Sequence, residues 1–334
     1  MKQKNIQTVQ ILRGIACLAI VLFHLPSEWG GVKANYSAFP LAIFFLLTGF
    51  FLLEGIRKTD KDYFKKKAVR IIPLYWSLTF LIFAVSFVMP GINHGRSYTV
   101  ENLIKSLLFI PYYNSDGKLF PILSVGWTLI IEVYDYIVFW AIYKFLRRFK
   151  YRDALAIVMI SGTIIFGSVL KPYLHNSPIL DIWTNKYQLS FVLGLIISWL
   201  KQCQGTGIKK CIITWPYILI GLVVTFYIFC YRIPDKYAWI YAFVFVATAV
   251  SIFREIEFPK WSLYLGNISY SVYLIHKFVI AIAERMVNHF TVIPLTVFGG
   301  VVFVFVVTIG VATISYILIE KRFCGFLKRI LCKD

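Results

Sequence analysis

The feature that most restricts this chain is a succession of long apolar runs, such as FPLAIFFLLTGFFLL at 39–53 and VFGGVVFVFVVTIGVATISYILI at 297–319. The hydrocarbon layer of a bilayer is about 30 Å thick, and a helix needs roughly 20 mainly apolar residues to cross it. Backbone groups in lipid must find their partners inside one helix or around a closed barrel. These runs are continuous and do not alternate with period two, so the expected structure is all-α. Composition agrees: 59% of residues are hydrophobic and only 15% are charged, whereas soluble domains carry about a quarter charged residues.

Ten membrane-spanning helices are expected, at about 11–27, 38–56, 71–90, 121–146, 154–170, 186–200, 212–230, 237–253, 261–284 and 293–320. The segment ENLIKSLLF is too short to cross and is expected to lie at the interface. The first run follows the basic start MKQKN without a small-residue cleavage site, so it is expected to remain as a helix. No linker or internal repeat divides the sequence, and residues 1–334 are read as one membrane domain.

The formal net charge of +19 does not point to nucleic acid, because the cations gather in the gaps between apolar runs. Lys and Arg number seven in 57–70, five in 144–152, three in 201–210 and five in 321–334, against few in the intervening gaps. By the positive-inside rule these gaps are cytoplasmic, and so are both termini. The six cysteines, at 17, 203, 211, 230, 324 and 332, show no metal or disulfide spacing. No metal site is expected.

Ionisable groups inside a bilayer are costly and face a bundle interior or a wet cavity. Three stand out: His24, Glu132 and His276. At a rise of about 1.5 Å per residue, both histidines lie about 20 Å beyond the inner ends of their helices, with Glu132 near the midplane. Each also has a structural reading, as an interhelical hydrogen bonder. At the inner side, Arg13 and Arg70 abut apolar runs directly and Lys67 shares a face with Arg70. Such groups suit phosphate oxygens, while plain interfacial anchoring explains the neighbouring lysines.

These residues carry a resemblance to the acyltransferase-3 family of bacterial membrane proteins. LRGIACLAIVLFH is similar to its arginine–ten residues–histidine element, through Arg13 and His24. FFLLTGF resembles its FFxxSGF element, with Thr48 where serine is common. KAVRIIPLYW resembles the arginine-rich element, with Lys67 in place of the first arginine and Arg70 matching the second. Trp127 and Glu132 in WTLIIEVYDY resemble the tryptophan–glutamate element. LGNISYSVYLIH matches through Ser269, Tyr270, Tyr273 and His276, and YILIEKRF resembles the closing element through Glu320.

The resemblance implies a multi-pass protein of the bacterial cytoplasmic membrane. It implies transfer of an acyl group, acetyl above all, from cytoplasmic acyl-CoA to a hydroxyl of an extracytoplasmic or lipid-linked carbohydrate. Acetyl-CoA is thus expected as a substrate, and no bound cofactor is expected. Arg13, Lys67 and Arg70 would hold the donor's phosphates, and His24 would act as general base. Glu132 would orient that imidazole, and His276 or Tyr273 would donate to the oxyanion. Cys17, on roughly the face of His24, offers a covalent route as the alternative. Tyr112, Tyr113, Trp183 and Tyr187 are candidate sugar-stacking groups. The competing function class is a transporter or flippase for a lipid-linked sugar or small anion.

Overall fold

The computed structural model describes residues 2–26, 29, 38–58, 63–88, 98–174, 176–203, 237–252, 258–289 and 297–332. Among these the chain is helical, with no strand. In order come α1 (Lys2–His24), α2 (Ala38–Lys58), α3 (Tyr63–Val88), α4 (Val100–Leu107), α5 (Trp127–Phe145) and α6 (Arg152–Leu170). Then follow α7 (Pro178–Trp183), α8 (Gln188–Cys203), α9 (Ala238–Ile252), α10 (Lys260–His289), α11 (Val297–Ser315), a π-helical segment (Tyr316–Phe323) and α12 (Cys324–Leu331).

Among the described residues seven helical spans are long and apolar enough to cross a membrane: those of α1, α2, α3, α5, α6 and α10, and the run from Gly299 to Leu331. The chain is a membrane protein. Helices α8 and α9 are shorter, at 16 and 15 residues, and the helix expected at 212–230 lies outside the described residues. Large apolar side chains such as Phe87, Val158, Ile165 and Phe166 stand more than half exposed, as surfaces bathed in lipid do.

Several boundaries differ from the sequence expectation. Helix α3 starts at Tyr63 and carries Lys67 and Arg70 in its first two turns, since lysine and arginine are good helix formers beyond the apolar layer. Helix α5 starts at Trp127, after a 3₁₀ turn at Ser124–Gly126, so Glu132 sits in its second turn. Helix α1 ends at His24, where Pro26 bars another turn. Its histidine is therefore terminal, while His276 lies in mid-helix.

The chain divides into two compact units. The first comprises residues 1–53 and 189–316. In it α1 packs along α10, with α9 against α1 and α11 against α10. Val9, Leu12, Ala16, Cys17 and Ile20 form the buried stripe of α1, at the three- and four-residue spacing of an amphipathic face. Gly14 and Gly266 let the two backbones close: a Cβ on Gly266 would meet the Gln10 carbonyl oxygen. Helices α2 and α8 cross in the same manner, Gly49 against the Phe191 carbonyl and Gly194 against the Leu46 carbonyl.

The second unit comprises residues 54–188 and 317–334. Here α5 packs on α6, α3 meets α4 and α12, and α7 touches α5 and α6. Ser106 is a buried hub for the segment after α4. Its carbonyl accepts from Tyr75 Oη at 3.0 Å, and its hydroxyl bonds Tyr112 Oη at 3.0 Å and accepts from the Ile122 amide at 3.1 Å.

Candidate active site

The expected site residues fall into two sets, one in each unit. The first unit holds Arg13, His24, Thr48, Ser269, Tyr270, Tyr273 and His276; the second holds Lys67, Arg70, Trp127, Glu132 and Glu320.

In the first unit, α1 and α10 bring two histidines together. The His24 and His276 rings meet edge to face with centroids 4.9 Å apart. One further contact sets this register: Cys17 Sγ donates to the Ser269 carbonyl at 3.1 Å. Residues 268–276 of α10 are buried all round, and the four- and three-residue steps from Ser269 to Tyr273 to His276 put its serine, tyrosine and histidine on one face. Tyr273 packs against Phe44 of α2 with centroids 5.9 Å apart. Thr48 lies one turn beyond Phe44 on the same side of that helix.

The hydrogen bonds of the two imidazoles fix their tautomers. His24 Nδ1 lies 2.9 Å from the Ile20 carbonyl, and His276 Nδ1 lies 2.6 Å from the Tyr273 carbonyl. A carbonyl oxygen only accepts, so each Nδ1 carries a proton, and in the neutral ring each Nε2 presents a lone pair. His276 Nε2 is buried with no hydrogen-bond partner among the described residues. His24 is the more open of the two. An imidazole held in this tautomer by its own helix is ready to take a proton.

In the second unit a chain of three groups runs from cation to carboxylate. Lys67 Nζ donates to Tyr136 Oη at 3.1 Å, and Tyr136 Oη donates to Glu132 Oε1. Tyr63, one turn before Lys67, places its ring 5.7 Å from the same ammonium. Arg70 Nε stands 3.9 Å from Glu320 Oε2; the glutamate side chain is 4% exposed and the arginine side chain 36%. Trp127 opens α5 and packs on Tyr187 with centroids 5.9 Å apart. Tyr136 was missed in the sequence, although its four-residue spacing from Glu132 puts both on one face of a helix.

The aromatic candidates for sugar contact divide. Tyr112 and Tyr187 are buried at 7% and 5% exposure and serve packing. Tyr113 Oη donates to Asp181 Oδ2 at 2.6 Å, while Lys171 Nζ stands 2.9 Å from Asp181 Oδ1. Loss of hydration, followed by the neighbouring carboxylate, pushes the Tyr113 phenol up to about 12. Partial burial alone would raise Asp181, but the bonds from Tyr113 and Lys171 win and hold its carboxyl below the usual range. Cys17 is 1% exposed, with its thiol proton committed to a carbonyl, which suits packing rather than nucleophilic attack. Among the described residues no group of three or more His, Cys, Asp or Glu could hold a metal ion.

The family described as Acyltransferase domain matches residues 6–320. The exopolysaccharide production protein ExoZ of Rhizobium meliloti (strain 1021) is 28% identical over 276 residues, covering 79% of this chain and 83% of that protein. The O-acetyltransferase OatA of Staphylococcus aureus (strain NCTC 8325 / PS 47) is 26% identical over 344 residues, covering 92% of this chain and 55% of that longer protein. No solved structure matches the chain.

Proposed function

The chain belongs to the acyltransferase-3 family, and from that premise we propose that it transfers acetyl from acetyl-CoA to a carbohydrate hydroxyl. The acceptor is an extracytoplasmic or lipid-linked carbohydrate; the name of the exopolysaccharide production protein supports a polysaccharide, and that of the O-acetyltransferase supports acetyl transfer to an oxygen. The reading includes ten spans, both termini in the cytoplasm and residence in the bacterial cytoplasmic membrane, supported by the Lys and Arg asymmetry of the gaps. Residues 1–334 act as one functional domain, since the family match runs through segments of both units.

The observation that carries the reading is the His24 lone pair, presented by an imidazole whose other nitrogen is tied to the Ile20 carbonyl. In the reaction His24 Nε2 takes the acceptor's hydroxyl proton as that oxygen attacks the thioester carbonyl carbon. A C–O bond forms, the C–S bond then breaks, and the proton passes from the imidazolium to the CoA thiolate. His276 presents a lone pair as well, so it serves as a second proton acceptor, and the role of oxyanion donor falls to Tyr273. Arg13 and Arg70 are assigned to phosphates of the donor. Lys67, whose ammonium donates to Tyr136, is assigned to the same phosphates. Glu132 is the carboxylate whose orientation Tyr136 and Lys67 set.

The test is transfer of labelled acetyl by purified protein in lipid, given labelled acetyl-CoA and a bacterial glycan extract. The native protein labels glycan, and a folded His24→Ala falls by about 10²–10⁴-fold, the usual weight of a general base. Equal labelling without His24 overturns the mechanism. Movement of lipid-linked sugar with no consumption of acetyl-CoA would replace the enzyme with a transporter.

A further inference from the structure

Asp135 lies three residues beyond Glu132 on α5 and has no part in the chemistry above. Its side chain and that of Gln188 are buried, at 4% and 1% exposure. Gln188 Nε2 donates to Asp135 Oδ1 at 2.8 Å. The other terminal atom of each group, Asp135 Oδ2 and Gln188 Oε1, is closed off and has no partner among the described residues. As an ionised carboxylate beside an amide, the pair would leave two acceptors facing no donor.

A bare carboxylate is among the costliest groups to bury in a membrane helix. No cation pairs with Asp135 among the described residues, and the carboxyl three residues before it on the same helix, Glu132, is another acid. A metal ion would want more ligands than this pair supplies, and no such group occurs among the described residues. One proton answers both orphaned atoms together. Placed on Oδ2, it makes a hydroxyl that donates to Gln188 Oε1 while Oδ1 goes on accepting from Nε2.

We infer that Asp135 is held as a neutral carboxylic acid in a reciprocal, two-hydrogen-bond pair with Gln188. The pair positions α5, with Glu132 and Tyr136 on it, against the segment that joins α7 to α8. Asp135 is a positioning residue, not a catalytic one. Its role in transfer rests on the function proposed above, but its protonation state does not.

The first readout is infrared difference spectroscopy of protein in lipid nanodiscs near neutral pH, native against Asp135→Asn. A protonated-carboxyl band, sensitive to deuterium exchange, is present in the native protein and missing in the variant. The second is rescue by shape. The amide that replaces the carboxyl in Asp135→Asn accepts through its oxygen and donates through its nitrogen, so thermal stability and acetyl transfer stay within about twofold of native. Asp135→Leu and Gln188→Leu each leave one buried partner unpaired and lower the unfolding temperature. Absence of the carboxyl band overturns the inference in favour of an ionised Asp135 bridged by water. A folded Asp135→Asn that loses more than about tenfold in transfer also overturns it, because the proton would then have to move. Should the native protein transfer no acetyl at all, the infrared and stability results still decide the pair.

Discussion

His24 and His276 stand ring to ring because α1 and α10 lie side by side in one constant register. Cys17 reaches Ser269 across the same 252-residue separation, and Gly14 faces Gly266 with it again. Seven residues separate Cys17 from His24, and Ser269 from His276, which is within about 20° of two full turns on each helix. The histidine pair is thus set by backbone contact lower on both helices.

Replacing Gly266 by alanine tests that dependence. The new Cβ meets the Gln10 carbonyl oxygen, a rigid backbone atom, and the expected destabilisation is about 1–3 kcal/mol. Gly310→Ala is the control, since nothing lies within 4 Å of a Cβ there. Thermal unfolding in detergent should show a lower midpoint for Gly266→Ala and no such drop for the control. Equal midpoints would mean the close approach is not needed.

Tyr136→Phe removes the hydroxyl that joins Lys67 to Glu132. Hydrogen bonds to charged groups are worth about 1.5–3 kcal/mol, so turnover should drop roughly 10- to 100-fold if the chain of groups serves the transition state. The measurement is acetyl-transfer kcat beside the unfolding midpoint. A lower midpoint with unchanged kcat would make the network structural alone.

The Lys171–Asp181–Tyr113 cluster predicts a response to pH. The folded Asp181 carboxyl is held below its ordinary range, so its contribution is complete above about pH 4 and disappears as pH falls through the lowered value. Amide exchange in the segment around α7 should therefore quicken only on strong acidification. Asp181→Asn should show the faster exchange already at neutral pH, and its Tyr113 should ionise below the native value of about 12. Exchange unaffected by the substitution would remove the cluster from any part in holding the segment.

The hydrophobic runs made the helices legible, and they marked His24, His276 and Glu132 as ionisable groups among apolar neighbours. They located lipid boundaries better than helix ends. The lysines before Arg70 leave the apolar layer without leaving the helix, so α3 begins at Tyr63, well before the apolar run that opens at Ile71. Glu320 occupies a π-helical segment that no apolar pattern announces. Pairings across helices were the least legible. Nothing local marks Gln188 as the partner of Asp135, and the spacing that sets Tyr136 beside Glu132 does not announce Lys67 as the third member, because each pairing depends on which faces meet after packing. Tyr112 and Tyr187 show the converse, since an aromatic near the interface reads alike whether it faces solvent or core.

The glycine crossings set a limit on what second-site genetics can repair. At Gly55 and Gly126 an added Cβ would meet the rings of Tyr63 and Tyr75, and a smaller residue at the tyrosine could relieve the clash. At Gly49, Gly194 and Gly266 the obstacle is the carbonyl of Phe191, Leu46 or Gln10, which every amino acid carries. No substitution at the contacted position can shrink it. Lesions at these three glycines should yield revertants and few suppressors, whereas lesions at the other two should yield both.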